Sequence, residues 1–80
     1  MKKEQFLILL GKKIASLRQE RGLSQTELAL RCDKDRQNLN RLEKGKINPS
    51  IFFLLQISIE LNITLAELLS FDYTSIINGD

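Results

Sequence analysis

The stretch from Ser24 to Lys46, SQTELALRCDKDRQNLNRLEKGK, constrains the fold of this chain more than any other, because it encodes two short amphipathic helices joined by a short turn. The first helix opens with Ser24, whose side chain can cap the free backbone N–H groups, and Glu27 can bond back to it, which makes a capping box. The helix is predicted to end near Asp33. Its narrow apolar stripe consists of Leu28, Ala29 and Cys32.

The second helix of this stretch is predicted from Asp35, as N-cap, to Lys44, with Gly45 in the left-handed position that ends it. Its apolar residues are only Leu39 and Leu42. At about 100° of rotation per residue, the opposite face is polar and is formed by Gln37, Asn40, Arg41 and Lys44, flanked by Arg36 and Asn38. Such a face also occurs on solvated surface helices. The capped helix and short turn before it favour a helix-turn-helix, whose second helix lies in the DNA major groove.

Residues 10–69 resemble the phage-repressor (Cro-type, xenobiotic response element) helix-turn-helix family of DNA-binding transcriptional regulators. The resemblance lies in LGKKIASLRQERGLSQTELA, then RLEKGKINPS, then LNITLAELL. The run GLSQxELA coupled to RxExGxxxPS is a specific signal, because it holds two helix caps, a helix stop and a loop at fixed distances. The resemblance implies an all-α fold, a compact five-helix bundle of the lambda-repressor-like DNA-binding type with a helix-turn-helix.

One position departs from the family pattern. Asp33 stands in the turn where the family usually carries glycine. Asp tolerates a positive φ better than most residues do, so we expect the turn to survive with slight strain.

Length and composition allow a single domain with a small core. The chain has 80 residues, of which 42% are hydrophobic. We predict one helix-turn-helix DNA-binding domain over residues 1–80, with its core at residues 4–70 and a tail at residues 71–80. The first helix covers residues 4–21 and is ended by Gly22. The tail either docks on the domain or frays.

The first helix has a helical apolar period, carried by Leu7, Leu10, Ile14, Leu17 and Arg21. Ile8 and Leu9 lie off this stripe, and they either widen the core contact or belong to a protein interface. Arg18 lies at the edge of the stripe, and Glu43 occupies the corresponding edge of the second motif helix. In the family that the chain resembles, an Arg and a Glu at these positions form a partly buried ion pair. The alternative is two independent surface charges.

Two further helices are predicted in the C-terminal part of the chain. One runs from its cap Ser50 to about Leu61. The other begins at Thr64, which can form a second capping box with Glu67, and ends at about Ser70.

The helix after Ser50 is apolar on nearly every side, and an 80-residue domain cannot bury all of it. Members of the resembled family usually carry polar residues at the positions of Phe52 and Ile59. These side chains either fill the core or lie under the tail, or they form a two-fold dimer interface. The predicted dimer contacts are Phe52, Ile59, Ile63, Phe71 and Tyr73.

The charges are divided unequally along the chain. Residues 1–50 carry all 12 Lys and Arg against six acids, a net charge of +6. Residues 51–80 carry four acids and no base, a net charge of −4. The first part of the chain is therefore suited to a polyanion such as DNA.

We predict that side chains on or beside the outer face of the second motif helix contact bases: Arg36, Gln37, Asn38, Asn40 and Arg41. Arg suits guanine O6 and N7, and Asn or Gln suits adenine N6 and N7. Side chains at the edges of this face are predicted to contact phosphates: Gln25, Lys44, Lys46 and Asn48. In the resembled family, the matching positions flank the groove.

Other chemistry finds little support in the sequence. There is no histidine and one cysteine, so an intramolecular disulfide and zinc-ligand spacing are both excluded. We expect no enzymatic activity, no cofactor and no metal. Cys32 is expected to pack as a small apolar residue, with a redox sensor as the alternative. No signal peptide or membrane span is evident, which predicts a cytoplasmic protein without membrane contact.

Three hypotheses of function follow. The leading one is a sequence-specific double-stranded DNA-binding transcriptional regulator that acts as a homodimer on a pseudo-palindromic operator. The second is an antitoxin or protein–protein adaptor that binds a partner through the apolar fourth helix and the tail. The third, a remnant that has lost DNA binding, predicts acidic or bulky apolar residues at positions 36, 37, 40 and 41, where the chain has Arg, Gln, Asn and Arg.

Overall fold

The computed structural model describes residues 2–74 and 76, and this part of the chain contains helices and no strands. The helices are α1 (Lys3–Glu20), α2 (Gln25–Arg31), α3 (Arg36–Glu43), α4 (Ile51–Glu60) and α5 (Leu65–Leu68). The predicted all-α fold with five helices is confirmed.

Short polar side chains begin four of these helices, because each accepts a hydrogen bond from a backbone N–H that has no partner within the helix. The caps of α2 to α5 are Ser24, Asp35, Ser50 and Thr64. Both predicted capping boxes are present: Glu27 accepts from the Ser24 N–H at 3.1 Å, and Glu67 accepts from the Thr64 N–H at 3.0 Å.

The first four helices end in one backbone device, the Schellman motif. The residue that follows the C-cap of each helix has a positive φ: Gly22 (68°), Asp33 (56°), Gly45 (72°) and Asn62 (59°). The next N–H then donates to the carbonyl five residues earlier, in the pairs Leu23–Arg18, Lys34–Ala29, Lys46–Arg41 and Ile63–Ser58. The expected positive φ at Asp33 is confirmed.

Helix α5 is shorter than predicted and ends at Leu68 rather than near Ser70. The chain tightens there, since the Ser70 N–H donates to the Glu67 carbonyl at 3.2 Å and the Phe71 N–H donates to the Leu69 carbonyl at 3.1 Å. After this turn, the ring of Phe71 lies against that of Phe6 on α1, with the two centroids 5.6 Å apart.

The core lies between α3 and its neighbours. Helix α3 packs on α1 and α2, and α4 packs on α2 and α5. The cluster is formed by Leu10, Ile14, Leu28, Ala29, Cys32, Leu39, Leu42, Phe53, Leu54, Ile57, Leu61 and Leu68.

Arg21, which the helical period placed on the core stripe of α1, is exposed instead, and its Nε donates to the Leu61 carbonyl at the end of α4. A guanidinium in the apolar core would lose its hydration, and at this edge it keeps both water and a hydrogen bond.

The described part of the tail docks on α1. The rings of Phe6, Phe71 and Tyr73 form a cluster with centroid distances of 5.6 to 5.9 Å. Ile76 is buried. Of the two alternatives for the tail, docking therefore holds for residues 71–74 and 76. The remaining tail residues, 75 and 77–80, lie outside the described residues.

Candidate nucleic-acid interface

Helix α3 is held in the domain by its apolar side and presents its polar side outwards. Leu39 and Leu42 are 0% and 1% exposed. The side chains exposed to solvent on the opposite side are Arg36, Gln37, Arg41 and Lys44. Asn38 and Asn40 are half-buried at the two edges of that surface. At about 100° per residue, Gln37, Arg41 and Lys44 lie within one arc of roughly 60°, so they form one continuous outward face.

The carboxylate of Glu43 fixes the C-terminal end of α3 to α1. It accepts two hydrogen bonds from the Arg18 guanidinium, from Nε at 2.7 Å and from Nη2 at 3.0 Å. The two side chains are 12% and 5% exposed, so the predicted partly buried ion pair is present and the alternative of independent surface charges is wrong. Arg18 Nη1 also donates to the Leu23 carbonyl at 2.8 Å, which ties down the connection between α1 and α2.

Gln25 connects this ion pair with Asn40 in the middle of α3. Its Nε2 donates to Glu43 Oε1 at 2.9 Å, and its Oε1 accepts from Asn40 Nδ2 at 3.4 Å. An amide nitrogen has two hydrogens, so one donor of Gln25 is left for a further acceptor. Gln25 is also the first residue of α2, whose N-terminal N–H groups favour an anion. The phosphate contact of Gln25 stays a prediction, and the network with Glu43 and Asn40 was not foreseen.

The other predicted phosphate contacts lie where α3 ends. Lys44 is its C-cap, and the N–H of Lys46 closes its last turn. Lys44, Lys46 and Asn48 are all exposed. The structure thus brings two lysines and an amide to one end of the outward face.

A second exposed surface lies on α4 and is apolar. We call it the α4 stripe, and it consists of Ile51 (64% exposed), Phe52 (62%), Leu55 (40%) and Ile59 (63%). These residues fall within an arc of about 100° on the helix. Because Phe52 and Ile59 are exposed, they do not fill the core, and the described residues of the tail do not cover them. Ile51 and Leu55 were not predicted among the exposed apolar residues, although Ile51, Leu55 and Ile59 are spaced at i, i+4 and i+8 and so share one side of a helix.

The other three predicted dimer contacts lie beyond the α4 stripe. Ile63 and Phe71 are half-buried and pack against the core, and Tyr73 is 39% exposed. Their role in a dimer stays a prediction.

Cys32 is buried in the core at 1% exposure. This burial raises the pKa of its thiol to about 11, with the nearby Glu60 carboxylate adding to the effect. The reactive thiolate is therefore scarce at neutral pH, and Cys32 acts as a small apolar side chain. Lys34, in the turn between α2 and α3, lies with its Nζ 5.2 Å from the centroid of the Phe53 ring, a cation–π contact that the sequence did not predict.

Two further properties concern the described residues alone. Within residues 2–74 and 76, no group of three or more His, Cys, Asp or Glu is placed to hold a metal ion. No helix in the same part of the chain has the length and apolar character needed to cross a membrane.

A family model of helix-turn-helix proteins matches residues 14–68 of this chain. The chain belongs to the helix-turn-helix family. The match includes α2 and α3 with the turn between them, and it extends to the end of α5.

Two related proteins of this family are of similar length. The HTH-type transcriptional regulator y4dJ of Sinorhizobium fredii is 36% identical over 62 residues, which cover 78% of this chain and 80% of that protein. Control protein C.MunI of a Mycoplasma species is 44% identical over 64 residues, which cover 79% of this chain and 86% of that protein. These relatives place the chain in the family of helix-turn-helix transcriptional regulators.

Solved structures of the family have the same arrangement of helices. The restriction-modification controller protein C.AhdI of Aeromonas hydrophila superposes with a TM-score of 0.81 at 31% identity, over 85% of this chain and 99% of that one. A chain of the SinR–SinI protein complex superposes with a TM-score of 0.72 at 27% identity, over 88% of this chain and 80% of that one.

Proposed function

We propose that this chain is a sequence-specific transcriptional regulator that binds double-stranded DNA as a homodimer on a pseudo-palindromic operator. The observation that carries the proposal is the outward face of α3, where Gln37, Arg41 and Lys44 are exposed while the apolar side anchors the helix in the core. In a helix-turn-helix, this face enters the major groove. Such an activity would place the protein in the cytoplasm.

The base contacts that we propose come from the face itself and its edges: Arg36, Gln37, Asn38, Asn40 and Arg41. Arg41 and Arg36 can each donate two hydrogen bonds to a guanine, and Gln37 can pair with an adenine. Asn38 and Asn40 are half-buried, so they reach only bases next to the edges of the helix.

The phosphate contacts that we propose come from the start of α2, from the C-cap of α3 and from the loop after it: Gln25, Lys44, Lys46 and Asn48. Lys46 and Lys44 neutralise phosphates beside the C-terminal end of α3, and Gln25 meets an oxygen at the N-terminus of α2. These contacts set the register of the protein on DNA and carry no sequence information of their own.

The homodimer that we propose forms through the α4 stripe, with Ile63, Phe71 and Tyr73 at its edge. Four large apolar side chains exposed side by side are unusual on a soluble monomer, and a second copy would bury them. The stripe belongs to the acidic part of the chain, residues 51–80, whereas the outward face of α3 belongs to the basic part, residues 1–50. A two-fold axis would then place two copies of α3 about 34–36 Å apart, on successive turns of the major groove.

Two of the similar proteins suggest which genes the chain regulates. C.MunI is a control protein and C.AhdI is a restriction-modification controller protein. We therefore propose that the operator lies upstream of restriction-modification genes. Footprinting of the DNA upstream of the chain's own gene and of any adjacent restriction and modification genes tests this. Protection found only elsewhere on the chromosome would reject this assignment and leave DNA reading intact.

The experiment for DNA reading starts with selection of an operator from a random duplex pool. Affinity is then measured on the operator and on a scrambled duplex over a salt series, for the wild type, Arg41→Ala and Lys46→Ala. Arg41→Ala should lose about 1–3 kcal/mol on the operator and little on the scrambled duplex. Lys46→Ala should lose similar affinity on both and reduce the salt slope by about one unit.

Two outcomes would count against the proposal. A wild type without any preference for a selected operator would reject sequence-specific reading. Equal losses of Arg41→Ala on the operator and the scrambled duplex would remove Arg41 from the base contacts.

A further inference from the structure

The helix α1 touches the end of α3 through backbone atoms, at a glycine. Gly11 is buried in the middle of α1. A Cβ atom added there would lie 2.4 Å from the carbonyl oxygen of Glu43 and 2.6 Å from that of Leu42. Both are backbone atoms, so no side-chain rotation can relieve the overlap. A helix residue with any side chain would push the two helices apart at this point.

A second glycine forms the other side of the same crossing. Gly45 ends α3 with a φ of +72°, and a Cβ atom added there would lie 2.7 Å from the backbone nitrogen of Ile8 and 2.8 Å from its Cα. Ile8 and Gly11 are one helical turn apart on α1, so they contact α3 from one face. We call the contact of Ile8 and Gly11 with residues 42, 43 and 45 the glycine crossing.

Position 45 needs both a positive φ and the absence of a Cβ atom, and Gly22 shows that these two requirements are separable. Gly22 ends α1 with a φ of +68°, nearly the same as that of Gly45. An added Cβ at Gly22 would meet no heavy atom of the described residues within 4 Å. The backbone conformation alone thus favours glycine at position 22, whereas position 45 also needs the space.

The glycine crossing acts on the element that reads DNA. An ordinary contact between a carbon and a carbonyl oxygen is about 3.3–3.6 Å long, so a Cβ at Gly11 would displace the end of α3 by roughly 1 Å. Binding residues need to be held within about 0.5 Å of their productive geometry. A shift of that size would move Arg41 and Lys44 relative to the DNA, although the core leucines of α3 could stay buried.

We propose that Gly11 and Gly45 are positioning residues that set the place of α3 on the domain and thereby the sequence specificity of DNA binding. This inference rests on the proposed function, because it needs an operator to which the wild type binds preferentially. The glycines need not touch DNA themselves, because they act through the position of the side chains on α3.

The experiment compares Gly45→Asn with Gly22→Asn, and adds Gly11→Ala. Asn tolerates a positive φ at a helix end, so the first two variants carry the same backbone strain and differ only in what the new Cβ meets. Ala is a better helix former than Gly, so Gly11→Ala should favour α1 itself, and any loss reports on the crossing. Each variant is assayed for affinity on the selected operator and on a scrambled duplex, for mass by sedimentation and for thermal unfolding.

Gly45→Asn and Gly11→Ala should each lose about tenfold or more in affinity for the operator, with a change on the scrambled duplex of about twofold or less. Gly22→Asn should keep the ratio of the two affinities. If Gly45→Asn and Gly22→Asn had the same ratio of operator affinity to scrambled-duplex affinity, the inference would be overturned. The proposed function would still stand as long as the wild type prefers the operator. Failure of both crossing variants to fold would assign the glycines to stability and overturn the positioning role.

Discussion

Helices α3 and α4 are built alike at their ends and differ on their outward sides. Each begins at a side-chain cap, Asp35 or Ser50, and each ends in a Schellman motif. Each also buries apolar residues in one core. The outward side of α3 is polar and basic, whereas that of α4 is the apolar α4 stripe. Since folding makes the same demands on both helices, the difference between their outward sides is not required by the fold.

The two helices also differ in what fixes them. The end of α3 is held by a bidentate ion pair, an amide network and the glycine crossing. Helix α4 is held mostly by side-chain packing around Phe53, Leu54 and Ile57. A reading helix needs a defined position at the level of single hydrogen bonds, and an apolar dimer surface tolerates more adjustment.

The largest effect is expected where the anchoring of α3 is broken. Arg18→Ala leaves the 5%-exposed Glu43 carboxylate without its bidentate partner, and should lower the free energy of unfolding by about 3–5 kcal/mol. Urea unfolding at a fixed protein concentration measures it. Arg31→Ala removes an exposed arginine from α2 and is the matched control, with an expected change of about 0.5 kcal/mol or less. If Arg18→Ala lowered the free energy of unfolding by less than about 1 kcal/mol, the ion pair would contribute no more than an exposed surface pair does.

The next effect should appear on the α4 stripe. Ile59→Glu places a charge in the α4 stripe, the proposed dimer interface, and should weaken dimerisation by about 2 kcal/mol or more. Sedimentation at micromolar concentration measures it, with Gln56→Glu on the same helix, outside the stripe, as the control. A wild type that is monomeric at this concentration would end the dimer proposal. A dimer unaffected by Ile59→Glu would move the interface to another surface.

A smaller effect tests two helix ends, that of α2, which leads into α3, and that of α4. Asp33 after α2 and Asn62 after α4 both hold a positive φ, of 56° and 59°, without being glycine. Asp33→Gly and Asn62→Gly should each raise the free energy of unfolding by roughly 0.5–1 kcal/mol, because Gly adopts this conformation without steric strain. Thermal or urea unfolding measures both. A gain at one position alone would show that the two ends are not equivalent.

The smallest effect concerns pH and the two capping boxes. The backbone N–H of Ser24, together with its hydroxyl, holds the pKa of Glu27 below its ordinary value of 4.5, and the same groups of Thr64 lower the pKa of Glu67. A lowered folded-state pKa adds stability above pH 4.5, and this stability is lost as the pH falls through the folded-state pKa. Glu27→Gln and Glu67→Gln should therefore each flatten the acid limb of a plot of unfolding free energy against pH. Curves parallel to that of the wild type would contradict this.

Local features were the part of the fold that the sequence predicted well. Ser24, Asp35 and Thr64 cap helices through bonds to residues three positions on, and Asp33 takes a positive φ because of its own turn. Such bonds depend on neighbours in the sequence and need no knowledge of the rest of the chain. The pair of Arg18 and Glu43 is 25 residues apart, and it came from the family resemblance.

The features that the sequence missed depend on where distant segments meet. Nothing near Gly11 in the chain indicates that the carbonyl of Glu43 will lie against it. The contact of Arg21 with the Leu61 carbonyl and the clustering of Phe6 with Phe71 depend on tertiary packing in the same way. Ile51 and Leu55 had a helical spacing that pointed to the stripe, but only the packed core decides which side of an all-apolar helix faces outwards.

The hydrogen bonds of Gln25 have a consequence for the entropy of association with DNA. Its amide is bound to Glu43 on one side and to Asn40 on the other within the protein alone. The side chains of Gln25 and Asn40 therefore lose rotamer freedom when the protein folds. If they contact DNA as proposed, binding does not have to order them again. Ordering a side chain on binding costs about 0.5–1.5 kcal/mol. An operator bound as proposed would meet half-buried amides that are already in place, and it would have to order only the exposed arginines and lysines around them.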